Sequence, residues 1–270
     1  FNTPLAGIVF AIEEMGRAYE SRTNGLVLTA VILAGLASLG LLGNYTYFGV
    51  ARDTVAFATD WPLVIACGVI GGGFGALFSL LGLRITRRIR RWNALQPLWR
   101  ALLVAGICGL AVAVIGLGSG GLTFGTGYTQ ARGAVEGAPL PAFFFLEKFV
   151  AGVLSMVSGI PGGIFAPSLA VGAGLGSTLG LVLGASTGLA ALLGMAGYFA
   201  GVVQAPMTAF VIILEMTGNH DNVIALMCAA VLGYGTARLI SNEPLYHALS
   251  RVFIAEAIRR RRAEAEPARG

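Results

Sequence analysis

Residues Val157–Gly176 read VSGIPGGIFAPSLAVGAGLG and join two apolar stretches of the chain. Three glycines around Pro161 exclude one continuous helix through this stretch, because glycine and proline disfavour helix interiors. A new helix can begin between Ile164 and Pro167, since proline is tolerated in the first helical turn. In a membrane, such irregular backbone is tolerated only where protein buries it or where it lines a polar cavity.

A helix that begins at this break favours binding of an anion. The first backbone N–H groups of a helix have no partner within the helix, and together they carry about half a positive charge. Amides of Ile164 and Phe165 suit a transported anion better than Lys or Arg, which would release it too slowly. A plain Gly-rich turn between two membrane spans is the alternative, and physical reasoning alone leaves it open.

The composition of the 270-residue chain is that of a membrane protein. Hydrophobic residues make up 56% and charged residues only 11%, against about 25% charged residues in soluble domains. The 40 glycines follow no collagen period and no polar low-complexity run, whereas abundant glycine is typical of helices packed closely in lipid. We therefore predict an all-α, polytopic membrane protein.

The few reactive side chains exclude redox and zinc chemistry. Cys67, Cys108 and Cys228 lie in apolar runs without C-x-x-C spacing, so we interpret them as packing residues. His220 and His247 are the only histidines, and they are too few and too far apart for a metal cluster. We predict no catalytic residue, no metal and no cofactor.

Several segments are long enough to cross the hydrocarbon core of a bilayer, which takes about 20 mainly apolar residues. The clear candidates for membrane spans are Leu26–Leu42, Pro62–Leu83, Ala101–Leu117 and Val223–Leu239. Two further apolar stretches are interrupted: Leu140–Val157 contains Glu147 and Lys148, and Ala166–Leu193 is broken by glycines.

Two apolar segments that are too short to cross a membrane resemble each other. PLAGIVFAIEEM begins at Pro4 and PMTAFVIILEMT at Pro206, and each has a glutamate nine positions after its proline, Glu13 and Glu215. An amide side chain also stands two positions before each proline. Chance similarity is the alternative, but copies about 200 residues apart indicate the two halves of a transporter with short helices at matching positions. We expect partial helices here and near Ala166.

This repeat predicts how the chain is organised. Residues 1–45 are expected to be the tail of a first repeat half, and residues 46–258 a second half that contains the anion-binding loop. Residues 259–270 form a basic tail. Because residue 1 is Phe rather than Met, we interpret the chain as a fragment whose first half is incomplete.

The basic residues indicate membrane topology rather than nucleic-acid binding. The formal charge is +5, and 12 of the 18 basic residues fall within Arg84–Arg100 and Arg251–Arg269. Neither window is interleaved with the several aromatic residues that a protein would use to stack on single-stranded nucleic acid. We expect the chain to cross the inner membrane of its cell. Under the positive-inside rule, Arg87–Arg91 and Arg259–Arg262 should both face the cytoplasm.

Four motifs, in order along the chain, resemble one known family. GIFAP, Gly163–Pro167, resembles the G-x-F-x-P anion-binding motif of the CLC chloride channels and proton/chloride exchangers. FNTPLAGIVFAIEEM is similar to the segment that ends the first half of that fold, and QAPMTAFVIILEMTGN to its partner in the second half. PLYHAL, Pro244–Leu249, is similar to the segment with the family's central tyrosine. The family's first-half serine motif and its gating-glutamate segment would precede Phe1.

The resemblance implies a set of site residues. The amides of Ile164 and Phe165 would coordinate a central chloride, with Gly163 and Pro167 supporting the motif, and Tyr246 would donate its hydroxyl to the same ion. Without the resemblance, Tyr246 would be interpreted as a tyrosine of the membrane interface.

Glu14 matches the internal proton-transfer glutamate of the exchangers. The alternative interpretation is that Glu14 lies at a charged helix end and pairs with Arg17. Glu13 matches Glu215 of the second copy instead, and we interpret it as part of the repeated scaffold.

The resemblance implies an inverted-repeat fold of prokaryotic type without a C-terminal regulatory domain. It implies proton-coupled chloride antiport, with a gated chloride channel as the alternative. It further implies a homodimer in contact through Pro4–Ile12, Leu26–Leu42, Pro206–Leu214 and Val223–Leu239.

A remote alternative function is that of an intramembrane serine hydrolase. Ser119 stands in GLGSGG, which resembles a glycine-flanked nucleophile. His220 and His247 are the only candidates for its base.

Overall fold

The computed structural model describes residues 2–15, 21–43, 45–56, 58–93 and 97–251. These residues form helices joined by turns and loops, with no strand among them. The expectation of an all-α fold is confirmed. Arg17 and the basic tail, including Arg259–Arg262, lie outside the described residues. The helices are α1 (Pro4–Phe10), α2 (Ser21–Leu42), α3 (Trp61–Asn93), α4 (Pro97–Gly118), α5 (Tyr128–Val135), α6 (Phe144–Val157), α7 (Phe165–Leu183), α8 (Thr187–Val203), α9 (Pro206–Thr217), α10 (Val223–Ile240) and α11 (residues 245–251).

The helices differ widely in length, as the interrupted sequence predicts. Helix α1 has 7 residues and α3 has 33, which at 1.5 Å per residue gives α3 a length of about 50 Å. In the described part of the chain, four helices are long and apolar enough to cross a membrane: Trp61–Trp92, Leu98–Gly118, Phe165–Leu183 and Val223–Ile240. Three of the predicted spans lie within α3, α4 and α10, and α2 contains the fourth.

The stretch Ala166–Leu193 forms parts of two helices. Helix α7 has 19 residues, longer than the partial helix that we expected near Ala166. It ends at Gly184, whose φ of 69° is a left-handed conformation that favours glycine. Helix α8 then begins at Thr187, because the Ser186 side chain accepts a hydrogen bond from the Leu189 N–H.

Glycines bring the central helices into close contact. Every residue of α8 from Gly188 to Val203 is buried, and α8 packs against α3, α7 and α10. A Cβ added to Gly201 of α8 would lie 2.7 Å from the Cα of Gly72 in α3, and one added to Gly72 would lie 2.6 Å from the Cα of Gly233 in α10. These approaches leave no room for a side chain, which explains much of the glycine content.

The charged pair Glu147–Lys148 is compatible with a packed helix because the lysine has partners. Lys148 is 3% exposed, and its Nζ donates hydrogen bonds to the carbonyl oxygens of Thr123 (2.8 Å) and Gly125 (2.7 Å). A buried ammonium group is tolerated where hydrogen bonds replace its water. Lys148 thereby joins α6 to the loop after α4.

The two similar segments form antiparallel helices that cap each other. Glu215, near the end of α9, accepts hydrogen bonds from the N–H groups of Leu5 (2.9 Å) and Ala6 (2.7 Å) at the start of α1. Glu13, just after α1, accepts from the N–H groups of Met207 (3.0 Å) and Thr208 (2.7 Å) at the start of α9. Each carboxylate therefore neutralises the positive end of the other helix, as a scaffold role for Glu13 predicts.

The amide residues before the two prolines also correspond in conformation. Asn2 (φ 55°) and Gln204 (φ 58°) are the non-glycine residues with positive φ in the described part of the chain. Asn2 Nδ2 donates to the carbonyl of Tyr45, three positions after α2, and Gln204 Nε2 donates to that of Ser241, directly after α10. Starting positions agree as well, because α1 and α9, and α2 and α10, each begin 202 residues apart.

Candidate functional site

The candidate site lies at the start of α7, where the glycine-rich sequence ends the preceding helix. Helix α6 ends at Val157, residues 158–164 are irregular, and α7 begins at Phe165 with Ile164 as its N-cap. The N–H of Ser168 donates to the carbonyl of Ile164 (3.0 Å), which completes the first turn. The amides of Ile164 and Phe165 stand at the beginning of this turn and have no acceptor within the helix. Gly162 and Gly163 leave this backbone open, since a Cβ at either would meet nothing within 4 Å.

Aromatic rings from four elements meet at this helix start. The ring centroid of Phe165 lies 5.9 Å from that of Tyr246 in α11, 5.4 Å from that of Phe10 in α1 and 5.0 Å from that of Phe199 in α8. Phe10 and Tyr246 also face each other, with centroids 6.1 Å apart. Edge-on arrangements of this kind are favourable contacts. The fold therefore brings together Phe165 and Tyr246, which are 81 positions apart in the sequence.

Glu14 lies close to this aromatic cluster. It is 9% exposed and belongs to the π-helical turn Ala11–Met15 that continues α1 after Phe10. Burial raises the pKa of the Tyr246 hydroxyl, and the negative charge of Glu14 raises it further; Tyr246 itself lies outside the four candidate spans. The hydroxyl therefore keeps its proton and remains a hydrogen-bond donor.

Contacts on both sides of Tyr246 hold α11 in place. Leu245 and Ala248 are buried, and the N–H of Ala248 donates to the carbonyl of Pro244 (3.0 Å). Before the helix, Glu243 forms ion pairs with Arg87 of α3 and with Arg251, each at 3.1 Å. Tyr246 is thus positioned by packing against the core and by charges near the protein surface.

Sequence reasoning missed Phe10 and Phe199 as members of the site. Phe10 stands four positions before Glu14, a spacing that places two helical residues on neighbouring surface positions, and this signal was available. Phe199 carries no such signal, because it is one of 16 consecutive buried residues of α8. Only the packing of α8 against α7 brings its ring to Phe165.

The serine considered as a hydrolase nucleophile is engaged locally. Ser119 Oγ donates to the carbonyl of Gly116 (3.0 Å) and shares a hydrogen bond with Thr123 Oγ1 (3.1 Å). Both partners lie within four positions of Ser119, so its hydroxyl serves the turn that ends α4. In the described part of the chain, no His, Cys, Asp and Glu side chains cluster in a way that could hold a metal ion.

The fold is that of an all-helical polytopic membrane protein with inverted structural repeats. Its candidate site is the beginning of helix α7. Residues 1–238 match the family model described as voltage gated chloride channel. The chain belongs to this family, which confirms the predicted resemblance to the CLC proteins.

Curated relatives in the same family are named as exchange transporters. The chain is 31% identical over 271 residues to the H(+)/Cl(-) exchange transporter ClcA of Yersinia pestis, covering 92% of this chain and 54% of the relative. It is 31% identical over 278 residues to the protein of the same name from Cronobacter sakazakii, covering 98% of this chain and 59% of the relative. The chain thus spans about half the length of the curated relatives it matches.

Solved structures confirm the fold. A CLC-type fluoride/proton antiporter superposes with a TM-score of 0.74 at 25% identity, covering 91% of this chain and 61% of the other. A slow cyanobacterial Cl-/H+ antiporter superposes with a TM-score of 0.71 at 21% identity, covering 94% and 62%. At this identity the second similarity concerns the fold alone.

Proposed function

We propose that the protein moves chloride across a membrane by proton-coupled antiport. The observation that carries this proposal is the meeting of three elements at one place. The amide-bearing start of α7 adjoins the rings of Phe10 and Tyr246, and the charge of Glu14 acts on the Tyr246 hydroxyl. The names of the curated relatives, which are H(+)/Cl(-) exchange transporters, support the same activity.

Each site residue then has a role that its chemistry suits. The N–H groups of Ile164 and Phe165 hold chloride at the positive end of α7, and the Tyr246 hydroxyl donates a further hydrogen bond. Gly163 leaves the backbone accessible, and Pro167 is accommodated in the first turn. This set binds an anion without a full positive charge, so the ion can also leave.

Glu14 is the proposed proton-transfer residue. An ionisable side chain at membrane depth costs about 2.5–3.5 kcal/mol on insertion scales, and its burial in a π turn fits a functional role, since such turns are frequent at functional sites. A carboxyl group can both bind and release a proton. This residue favours exchange over the alternative of a chloride channel.

The test is a flux assay on the natural full-length protein in proteoliposomes, with chloride and pH electrodes read together. We expect a chloride gradient to drive protons in the opposite direction. Glu14→Gln should keep chloride movement and lose the coupled proton movement, whereas Glu136→Gln, at an exposed carboxylate outside the site, serves as a charge-matched control. Chloride flux without proton movement in the wild type would favour the channel, and full coupling in Glu14→Gln would remove this residue from the proton path.

The assignment as a transporter replaces that as a hydrolase. The curated relatives are transporters by name, and a chloride/proton exchanger needs neither a catalytic residue nor a cofactor. A serine-reactive probe should leave Ser119 unlabelled, because its hydroxyl is hydrogen-bonded within its own turn. Labelling of Ser119 that also abolishes chloride flux would favour the serine hydrolase.

The division into two repeat halves and the homodimer belong to the same proposal. Residues 1–45 are the tail of one half, and residues 46–258 the other, as the 202-residue offset of α1 from α9 and of α2 from α10 supports. These four helices expose large apolar side chains, among them Leu5 (60%), Leu33 (61%) and Val231 (56%). A second subunit would cover this surface. Cysteines introduced singly at Leu5, Leu33, Met207 and Val231 should crosslink into dimers, and failure at all four would contradict the interface.

The proposed location is the inner membrane, with the basic end of α3 and the C-terminal tail in the cytoplasm. The basic windows support this topology under the positive-inside rule. A cysteine introduced at position 90 or 261 should not react with an impermeant thiol reagent added outside intact cells. Reaction at either position would reverse the orientation.

A further inference from the structure

The last ten residues of α3 extend beyond its apolar part. Residues 61–83 are apolar and already reach about 34 Å at 1.5 Å per residue, more than the roughly 30 Å of hydrocarbon in a bilayer. Residues 84–93 continue the same helix and contain five arginines. This basic end of α3, defined as residues 84–92, must therefore lie at the membrane surface or beyond it.

Basic and apolar side chains form two parallel stripes along this segment. Arg84, Arg88 and Arg91 are spaced by four and three residues, which places them on one face of the helix. Ile85, Ile89 and Trp92 repeat the same spacing one residue later, on the adjacent face. Ile85 is 37% exposed and Trp92 47%. A basic stripe beside an apolar stripe suits the level of the lipid headgroups, where arginines reach the phosphates while apolar side chains face the acyl chains.

The arginines of the segment are not equivalent in charge balance. Arg87 has an ion-pair partner in Glu243, a carboxylate that it shares with Arg251. Arg84, Arg88 and Arg91 form no ion pair with any described residue and are exposed. These three positive charges, which line one open cavity with Trp92, have no negative counterpart in the described part of the chain.

Aromatic residues mark the level of the membrane interface at the same place. The guanidinium of Arg100 lies over the Trp92 ring, 4.8 Å from its centroid, and its Nη1 donates to the Trp92 carbonyl. This contact joins the start of α4 to the end of α3. Trp99, 70% exposed, stands beside it on α4. Tryptophan is enriched at the headgroup level of membranes, where its ring is apolar and its N–H is polar.

We propose that the basic end of α3 binds the headgroups of anionic phospholipids. Arg84, Arg88 and Arg91 contact the phosphates, while Ile85 and Trp92 insert at the boundary with the acyl chains. Charge complementarity carries the proposal, because an anionic lipid surface supplies the negative charge that these three arginines lack, and an arginine near such a surface gains affinity for it. Arginine also binds phosphate with two parallel hydrogen bonds, which lysine cannot match.

The experiment uses Trp92 as the reporter in the natural full-length protein. Trp61→Phe and Trp99→Phe leave Trp92 as the one tryptophan of residues 1–270. Any tryptophan elsewhere in the full-length protein is replaced by Phe as well. The protein is reconstituted in phosphatidylcholine bilayers with increasing fractions of brominated phosphatidylglycerol or brominated phosphatidylcholine, and quenching of Trp92 fluorescence gives the relative affinity for the two lipids. We expect the protein to bind phosphatidylglycerol about fivefold or more tightly than phosphatidylcholine. This is the gain in affinity that one arginine near an anionic surface supplies. Salt at 0.5 M should reduce it.

Variants assign the preference to the three arginines. Arg84→Gln/Arg88→Gln/Arg91→Gln should bring the ratio of affinities close to one, and Arg52→Gln/Arg132→Gln, which removes two arginines outside this segment, should leave it unchanged. If the triple variant does not fold, the three single variants should each lower the ratio. Equal quenching by both lipids in the wild type, a preference that survives the substitutions, or an equal loss in the control would overturn the proposal.

Discussion

Residues 4–15 and residues 206–217 are two copies of one element with different endings. Both begin with proline at the first helical turn, and in both a glutamate nine positions later caps the other copy. The first copy changes to a π turn at Ala11, whereas the second stays α-helical to Thr217. One position after the shared glutamate, the first copy has Glu14 and the second has Met216.

This difference separates scaffold from function. Features common to both copies, the proline and the capping glutamate, serve the packing of α1 on α9. Two features belong to the first copy alone: Phe10 packs on Phe165 and Tyr246, and the charge of Glu14 acts on the Tyr246 hydroxyl. Met216, at the place that matches Glu14, is fully buried and apolar. A repeat thus keeps what both halves need for folding and varies what one site needs for chemistry.

Removing a shared glutamate should break the scaffold and have the largest effect. Glu13→Ala and Glu215→Ala each leave two amide groups at a helix start without an acceptor, and hydrogen bonds to charged groups contribute about 1.5–3 kcal/mol each. We expect a loss of about 3 kcal/mol or more in the free energy of unfolding, measured by denaturant titration. Glu13→Ala should be worse, since Glu13 also accepts from the Thr208 hydroxyl (2.8 Å).

Glu243→Ala is the control for that experiment. It removes two ion pairs whose partners are half or more exposed, and surface pairs contribute about 0–1 kcal/mol. Losses of similar size in Glu243→Ala and Glu215→Ala would show that the reciprocal caps are ordinary surface contacts.

Making the first copy resemble the second should sharpen the comparison. Glu14→Met places the residue of the second copy at the matching position and removes a buried carboxyl. We expect chloride flux without coupled proton movement in proteoliposomes, because the methionine side chain binds no proton. Met216→Leu, the control in the second copy, should keep coupling. A Glu14→Met protein that still couples protons to chloride would contradict a special role of the first copy.

Tyr246→Phe should have a smaller effect that concerns the anion. It removes one donor, and a hydrogen bond to a charged group contributes about 1.5–3 kcal/mol, so chloride binding should weaken by about tenfold to 150-fold. Tyr246→Ala should weaken it further, because it also removes the ring packed on Phe10 and Phe165. Calorimetric chloride titration of the full-length wild type and both variants is the measurement. Equal chloride affinity in the wild type and both variants would contradict a role in the anion site and favour the interpretation of Tyr246 as a tyrosine of the membrane interface.

Ile164→Val should have the smallest effect. The proposed contact is made by the main-chain N–H of Ile164, which the substitution retains, and the loss of one methyl group from a half-buried side chain costs about 0.5–1.5 kcal/mol of stability at most. Chloride affinity in the same titration should therefore stay within about twofold of the wild type. A tenfold loss would mean that the side chain, and not the amide, determines binding.

Much of the fold was predictable because its signals are local. Apolar length marked α3, α4 and α10, and the prolines at 4 and 206 marked the two short helices. The repeat predicted a scaffold role for Glu13, and the hydrogen bonds of Glu13 with α9 agree with it. The division of Ala166–Leu193 at Gly184 was harder to predict, because that stretch contains many glycines and only one of them ends the helix.

The candidate site was predictable in part. The start of α7 followed from Gly162, Gly163 and Pro161, which no continuous helix accommodates. The aromatic cluster did not, since Phe10, Phe199 and Tyr246 come from elements far apart in the sequence. A ring in an apolar helix gives no indication of its partner until the packing of the helices is known.

The sequence by itself determined that this chain is a helical membrane protein, where its main helix breaks fall and which segments repeat. Composition, glycine and proline act on the backbone directly, so their effects need no distant partner. Only the tertiary structure decided that Glu13 and Glu215 cap each other's helices, that Lys148 is buried against two carbonyl groups, and that Phe10, Phe165 and Tyr246 meet. These contacts join residues from 23 to 236 positions apart, and their geometry depends on glycines that let α3, α7, α8 and α10 approach closely enough to hold the elements in register.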